Sequence, residues 1–481
     1  MSISGALTSA LSGLGAAARG AEIVSQNIAN ARTEGYGRRE LLLEAAGGTS
    51  AGVRVSGITR HADPQLLADR RAAGAAEEGA VLRAGFHAGL ERVLGLPSEP
   101  GSLTDRLATF EAALTAAASR PDSTARLEAV HTAAAALATH LNRATDHVQD
   151  QRMQADAAIA TSVERLNAGL QEVATLNARI ARFAAVDKDA SGLVDRRQQV
   201  IDDIARIVPL REMPRDHGRV ALMTPGGALL LDTRPVEVGF TPAGVIAPEM
   251  SLQSGALSGL TLDGRPVAMT DGGPMGGGTL AAHFAIRDAA APGAQARLDA
   301  FSRDLVERLA DPGVDPTLAP GAPGLFTDAG AMVDAGAEVG LAGRIAVNEA
   351  LSPAADGLWR LRAGIGAAGP GDPGDARVLT ALAGAMAAPR VAASGGFGPS
   401  ALGAAALAAE VSAGIATART AAEADGTAAG AEVETLRLAE LRQGVDTDAE
   451  LQTLLSIERA YAANARVMSV IDEMLANLTR I

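Results

Sequence analysis

At 481 residues the chain exceeds what one hydrophobic core can hold, so two to four domains are expected. A formal charge of -14 at pH 7 argues against duplex nucleic acid and anionic lipid as partners, since both demand clustered Lys and Arg, and Lys188 is the only lysine. The absence of cysteine removes disulfides, thiolate metal sites and Cys nucleophiles together, and with no run of 18 apolar residues and no basic-plus-apolar leader, neither a membrane span nor a cleaved signal peptide is expected.

From the start of the chain, Ile3, Leu7, Ala10, Leu14, Ala17, Ala21, Val24, Ile28 and Ala31 recur at alternating spacings of four and three. That is the a/d strip of a coiled coil. Gly5, Gly13, Gly15 and Gly20 each cost such a helix about 1 kcal/mol relative to Ala, so it needs partners along its length. Thr33 to Gly37 reads as a loop, and LLLE and VRVSGI between Arg38 and Thr59 read as short strands.

Helical periodicity follows. Leu103, Leu107, Phe110 and Leu114 define one helix, Val130, Leu137 and Leu141 the next, and Ile159, Val163, Leu166, Leu170, Val173 and Ile180 a long one with Asn177 in its seam. From Pro209 to about Gly278 the runs RVALM, GALLL and VEVGF, cut by Gly and Pro, predict a β-rich insertion. Helix returns over Leu280 to Leu309; Asp311 to Pro399 is irregular, with RIAV and LWRLR as strand candidates. Helix resumes from Leu402, and Thr447 with Glu450 predicts a capping box opening the last helix. There Leu454, Ile457, Tyr461, Asn464, Met468, Ile471, Leu475 and Leu478 hold a second heptad strip, broken by the polar Asn464.

The expected fold is mainly α with β-rich insertions: paired N- and C-terminal coiled-coil helices, a helical-bundle middle and β-rich outer parts. The boundaries read as 1–40 (axial helix and loop, pairing with 445–481), 41–207 (helical middle), 208–278 (β-rich insertion), 279–310 (returning helix), 311–400 (outer, irregular and β-rich) and 401–444 (returning helix). The assembly seam is expected at Ile3, Leu7, Leu14, Val24 and Ile28 with Leu454, Ile457, Tyr461, Asn464, Met468, Ile471, Leu475 and Leu478.

No constellation for catalysis emerges. The seven histidines include no HExxH pair, and His140 and His147, seven apart on one helix face, lack a carboxylate at ligand spacing. The glycines from Gly272 to Gly278 are not followed by the Lys-Ser/Thr of a phosphate-binding loop, and no GxSxG elbow occurs. Asp187, Asp189, Ser191 and Gly192 imitate half a calcium loop, but the twelfth position is Gln198 instead of Glu, which leaves a polar turn with a helix cap. No catalytic residue, cofactor or metal is therefore expected, and an enzyme inserted in a scaffold is disfavoured.

Both ends resemble the axial proteins of the bacterial flagellum, the rod, hook and hook-associated class. The resemblance rests on Ala10-Leu11-Ser12-Gly13-Leu14, on Ser25-Gln26-Asn27-Ile28-Ala29-Asn30 with Gly35-Tyr36, and on Glu458-Arg459-Ala460-Tyr461-Ala462-Ala463-Asn464-Ala465. Interior segments, among them Leu96-Pro97-Ser98-Glu99-Pro100-Gly101-Ser102-Leu103, Leu193-Val194-Asp195-Arg196-Arg197 and Gly277-Gly278-Thr279-Leu280, resemble the hook-associated protein 1 family. Hook or distal rod protein is the alternative, disfavoured by the long helical block from Leu103 to Val208.

What the resemblance implies is a non-enzymatic structural protein, exported through the flagellar secretion channel and located outside the cell. It would self-assemble as a ring on the hook tip, between the hook protein and the next hook-associated junction protein, with an export chaperone holding its C-terminal helix. Nucleic acid and membrane insertion play no part in that expectation.

Overall fold

The computed structural model describes residues 3–33, 36–46, 52–186, 188–270 and 272–478. The N-terminal strip forms α1 (Ile3–Asn30), which closes in a turn where Thr33 N–H donates to Asn30 C=O at 2.9 Å. A hairpin follows: β1 (Arg39–Ala45) and β2 (Val53–Arg60) pair antiparallel, Arg39 directly opposite Arg60. The next helix, α2 (Pro64–Leu94), starts where the Asp63 carboxylate accepts the backbone N–H groups of Gln65 and Leu66 and Pro64 presets the first turn. Ser102 caps α3 (Leu103–Ser119) in the same way, through the N–H of Asp105.

The two helices read around Val130 and Ile159 are one. Nothing from Asn142 to Ala158 is Gly or Pro, and α4 runs unbroken from Thr124 to Ala184, 61 residues and about 90 Å long. After α5 (Ser191–Ala205) come six strands of two to four residues in two small antiparallel sheets: β3 (Arg211–Pro214), β4 (Val220–Met223) and β5 (Leu229–Leu231), then β6 (Val238–Gly239), β7 (Leu260–Leu262) and β8 (Arg265–Val267). Two asparagines of α4 hold them. The amide of Asn177 donates to Val220 C=O at 2.8 Å and accepts Val220 N–H at 3.2 Å, and Asn167 repeats this with Val238 at 2.8 and 3.0 Å. Each side chain thus satisfies one strand peptide as a neighbouring strand would.

Helix returns as α6 (Gly278–Ala285), a π-helical turn at Ile286–Ala290, and α7 (Ala291–Leu309). In that turn Arg287 is buried, paired with Asp156 of α4 at 2.7 Å and with Asp288 at 2.8 Å, and donating to Ser258 C=O at 2.9 Å. It pins the loop before β7 to both long helices.

The stretch 311–400 departs from the outer β-rich region expected of it. It holds only a pair of three-residue strands, β9 (Phe326–Asp328) and β10 (Ile345–Val347), beside the short helices α8 (Leu341–Arg344), α9 (Arg360–Ala363) and α10 (Arg377–Ala387). LWRLR is not a strand: Leu358 and Trp359 lie in a turn and Arg360 to Arg362 open α9. Phe326, Ile345, Leu361, Leu379 and Met386 share one buried core with Leu103, Leu107, Phe110 and Leu114 of α3 and with the first half of α4. The second half of α4 forms another core with α5, α6 and both sheets, through Leu166, Ile201, Leu222, Leu260 and Phe284. Burying a side chain of this size contributes about 1.5–3 kcal/mol. The sheets and the irregular stretch are therefore built into the helical body.

Two long helices finish the chain, α11 (Ala404–Gln443) and α12 (Thr447–Leu478). The first packs antiparallel on α2, with Arg419 paired to Glu91 at 2.9 Å near one end and Glu440 to Arg70 at 2.9 Å near the other. Among the described residues no helix is long and apolar enough to cross a membrane.

Candidate assembly surface

The helices α1 and α12 pack antiparallel, and their contacts step by seven residues along both. Asn27 meets Glu450, Gly20 meets Ile457, Gly13 meets Asn464, and at the far end Ala6 and Ile471 line one groove. Two of the four glycines expected to weaken α1, Gly13 and Gly20, are what lets the pair close. A Cβ at Gly13 would stand 2.7 Å from the Asn464 amide nitrogen, and one at Gly20 would stand 3.1 Å from Ile457 Cδ1. The contact strip on α1 thus lies one position before the expected one, at 13, 20 and 27 in place of 14, 21 and 28.

That shift decides where each seam residue falls. Val24 and Ile471 are buried; Leu7, Leu14, Ile28, Leu454, Ile457, Asn464 and Met468 are half-buried; Ile3, Tyr461 and Leu475 are exposed. The side chain of Leu478 lies outside the described residues, as does Gly35 of the expected turn. Elsewhere α12 exposes Leu451 and Leu455 and, beside Ile3 and Ala6 in the groove at the far end of the pair, Val467, Val470 and Met474, with Val470 46 % and Met474 50 % accessible. With Tyr461 and Leu475 that makes seven exposed apolar side chains on α12, of which Val467, Val470 and Met474 form with Ile3 an open apolar flank of the kind a subunit contact covers.

The polar end of the pair is a closed network. Asn27, 0 % exposed, accepts from Tyr36 Oη at 2.8 Å and Arg39 N–H at 3.0 Å, and donates to Arg39 C=O at 2.8 Å and Glu450 Oε2 at 3.1 Å. Glu450, 1 % exposed, is neutralised by Arg38 Nε at 2.7 Å. Burial pushes the Tyr36 phenol above its ordinary range; Arg39 opposes this, while Asp195 and Glu450 reinforce it, so the hydroxyl stays a donor.

This network corrects the expected capping box. Asp446 caps α12, its carboxylate accepting the N–H groups of Asp448 and Ala449, and Glu450 is released to cross over to α1. The hairpin lies along the same pair, with Leu41 near Gly20 and Val53 N–H donating to Ser12 Oγ at 3.1 Å. We refer to α1, β1, β2 and α12 together as the axial unit.

Sequence reasoning missed Asn27, Tyr36, Arg38 and Glu450 as a unit. The available signal was a polar Asn flanked by Val24 and Ile28 on an apolar strip, but its partner lies 423 residues away. Elsewhere, His140 Nε2 faces Leu94 C=O at 3.3 Å, and Asp189 accepts Ser191 N–H at the start of α5; Asp187 lies outside the described residues. Among the described residues no three His, Cys, Asp or Glu side chains converge as metal ligands.

Comparison with known proteins gives two family matches: the helical domain of flagellar hook-associated protein FlgK over residues 88–311, and the C-terminal region of flagellar basal body rod FlgEFG proteins over residues 442–481. Flagellar hook-associated protein 1 of Salmonella typhimurium strain LT2 is 27 % identical over 285 residues, covering 54 % of this chain and 51 % of that protein. Its Escherichia coli K12 counterpart is 25 % identical over 285 residues, covering 54 % and 52 %. The chain spans about half the length of the curated relatives it matches. Among solved structures, the flagellar hook junction protein FlgK from Burkholderia pseudomallei aligns with a TM-score of 0.46 at 16 % identity, covering 55 % of this chain and 46 % of that one.

Proposed function

We propose that this chain is a structural junction protein of the bacterial flagellum, assembling at the hook tip and linking hook to filament, on its likeness to the flagellar hook-associated proteins over residues 88–311 and to the two curated relatives. The observation that carries the reading is the axial unit: a long antiparallel helix pair, closed at one end by Asn27 and Glu450, whose α12 leaves an apolar flank open to neighbours. In this reading the inner seam holds each pair together and the open flank meets adjacent subunits in a ring. The role is structural, with no catalytic step.

The match over residues 442–481 would serve a hook or distal rod protein equally well. The helical-domain match over 88–311 favours the junction role. The hook protein on one side, the next hook-associated protein on the other, delivery through the flagellar secretion channel and a chaperone on α12 complete the proposal. They rest on the family likeness and on the exposure of the helix.

Deleting the gene tests it. Deletion cells are expected to keep hooks, lack filaments and release filament protein into the medium. Cells arrested at the rod without hooks would instead make this a rod or hook component.

A further inference from the structure

The axial unit is covalently tied to the body at only two short places, the link from β2 into α2 at residues 61–63 and the link from α11 into α12 at Gly444–Asp446. Neither link is part of a helix or strand, and their cap residues, Asp63 and Asp446, bond to the helices that follow and not across to the other part. Something else must set the angle. Among the described residues two ion pairs run from the axial unit into the body, and both end on Asp195 of α5: one from Arg39, the other from Arg60 Nε at 3.1 Å.

The geometry makes that convergence more than a surface contact. Arg39 and Arg60 face each other directly across the hairpin, and like charges in that position repel. A carboxylate shared between them turns the repulsion into a two-armed attraction. All three side chains are mostly buried, which protects the pairs from screening by salt. Arg60 reaches Asp195 by lying against the backbone of Gly37, where a Cβ would stand 2.5 Å from its Nε.

The same face of α5 continues into the body. Gln198 and Asp202, one and two turns on, bind Arg71 of α2 at 2.7 and 2.6 Å, and Asp202 also holds Arg70 at 3.2 Å. Arg71 is further paired with Glu212 of β3 at 2.7 Å. One helix face therefore grips the base of the α2/α11 pair and, through Asp195 alone, the hairpin.

We propose that Asp195 is the latch that fixes the angle of the axial unit on the body, with the Arg39–Arg60 cross-strand pair as its catch. This stands on the free chain and does not depend on the junction role.

The absence of native cysteine makes the test direct. Spin labels at Ser25→Cys on α1 and Thr175→Cys on α4, both exposed positions, report the angle as an inter-label distance by pulsed electron spin resonance. In Asp195→Asn, and independently in the double variant Arg39→Gln/Arg60→Gln, the distance distribution broadens about two-fold or more while the thermal midpoint of the body is unchanged, because a population of new angles is released. The control Asp203→Asn, an exposed carboxylate on the same helix, leaves the distribution narrow. A narrow, unshifted distribution in Asp195→Asn overturns the latch. So does a lowered thermal midpoint of the body in both variants, which would make Asp195 a support of the body itself.

Discussion

Asn27 spends its whole side-chain amide on groups that would otherwise be buried without partners: the Arg39 peptide on both sides, the Tyr36 hydroxyl and a carboxylate of α12. Truncating it leaves the Arg39 N–H and C=O unsatisfied and Glu450 with Arg38 alone, at a cost of about 1–3 kcal/mol for a buried orphan group. In Asn27→Ala, amides of α1 should therefore exchange with solvent about 10- to 100-fold faster, with body amides unaffected. Exchange in α1 equal to that of the parent would show that the network does not close the pair. Asn27 and Tyr36 stood in the family motif, yet their role could not be read from it. The motif is local, and the group that gives it meaning enters from the other end of the chain.

Elements whose character is set locally were readable: the strands RVALM, GALLL and RIAV, the helix from Leu103 and the two helices that carry the heptad strips are all regular structure, although the contact strip on α1 lies one position off. What periodicity could not give was continuity or depth. The polar stretch from Asn142 to Ala158 hid the fact that α4 is one helix, because its inward positions are Ala144, Thr145, Val148, Arg152 and Ala155, a seam of small and polar groups. Capping chemistry was misassigned because Asp446, one residue earlier, competes for the same N–H groups and wins once Glu450 finds Arg38.

The bundle also carries a pH dependence. Burial lowers the pKa of His87, His140, His147 and His283 from the ordinary 6.5, with Arg106 adding to the effect at His140. In the unfolded chain these rings take up protons near pH 6.5, before the folded rings do, so the stability they contribute is complete above that pH and is lost as pH falls through it. The thermal midpoint of the body should fall between pH 7 and pH 5.5. A midpoint that rises across that interval would contradict the assignment.

Taken as one object, the molecule is a helical body threaded by α4, with an axial pair joined to it by two short links and a shared carboxylate. Nesting of the chain ends around the middle was visible from the order of the patterns alone. The angle between the two parts was not, since it depends on Arg39 and Arg60 meeting Asp195 across 156 and 135 residues. Nor was the open apolar flank at the far end of the pair, where Val467, Val470 and Met474 stand beside Ile3 of α1.

The central claim is that the open flank is the assembly element, and Val470→Asp tests it most directly. Val470 is exposed in the free chain, so a carboxylate there costs the monomer little, yet it would be buried unpaired in an apolar subunit contact at a penalty of several kcal/mol. The decisive measurement is filament formation in cells whose only copy carries Val470→Asp, alongside Glu458→Ala as control. The account predicts an unchanged thermal midpoint for the purified variant, with hooks but no filaments on the cells, while the control keeps its filaments. Normal filaments on Val470→Asp cells would contradict it.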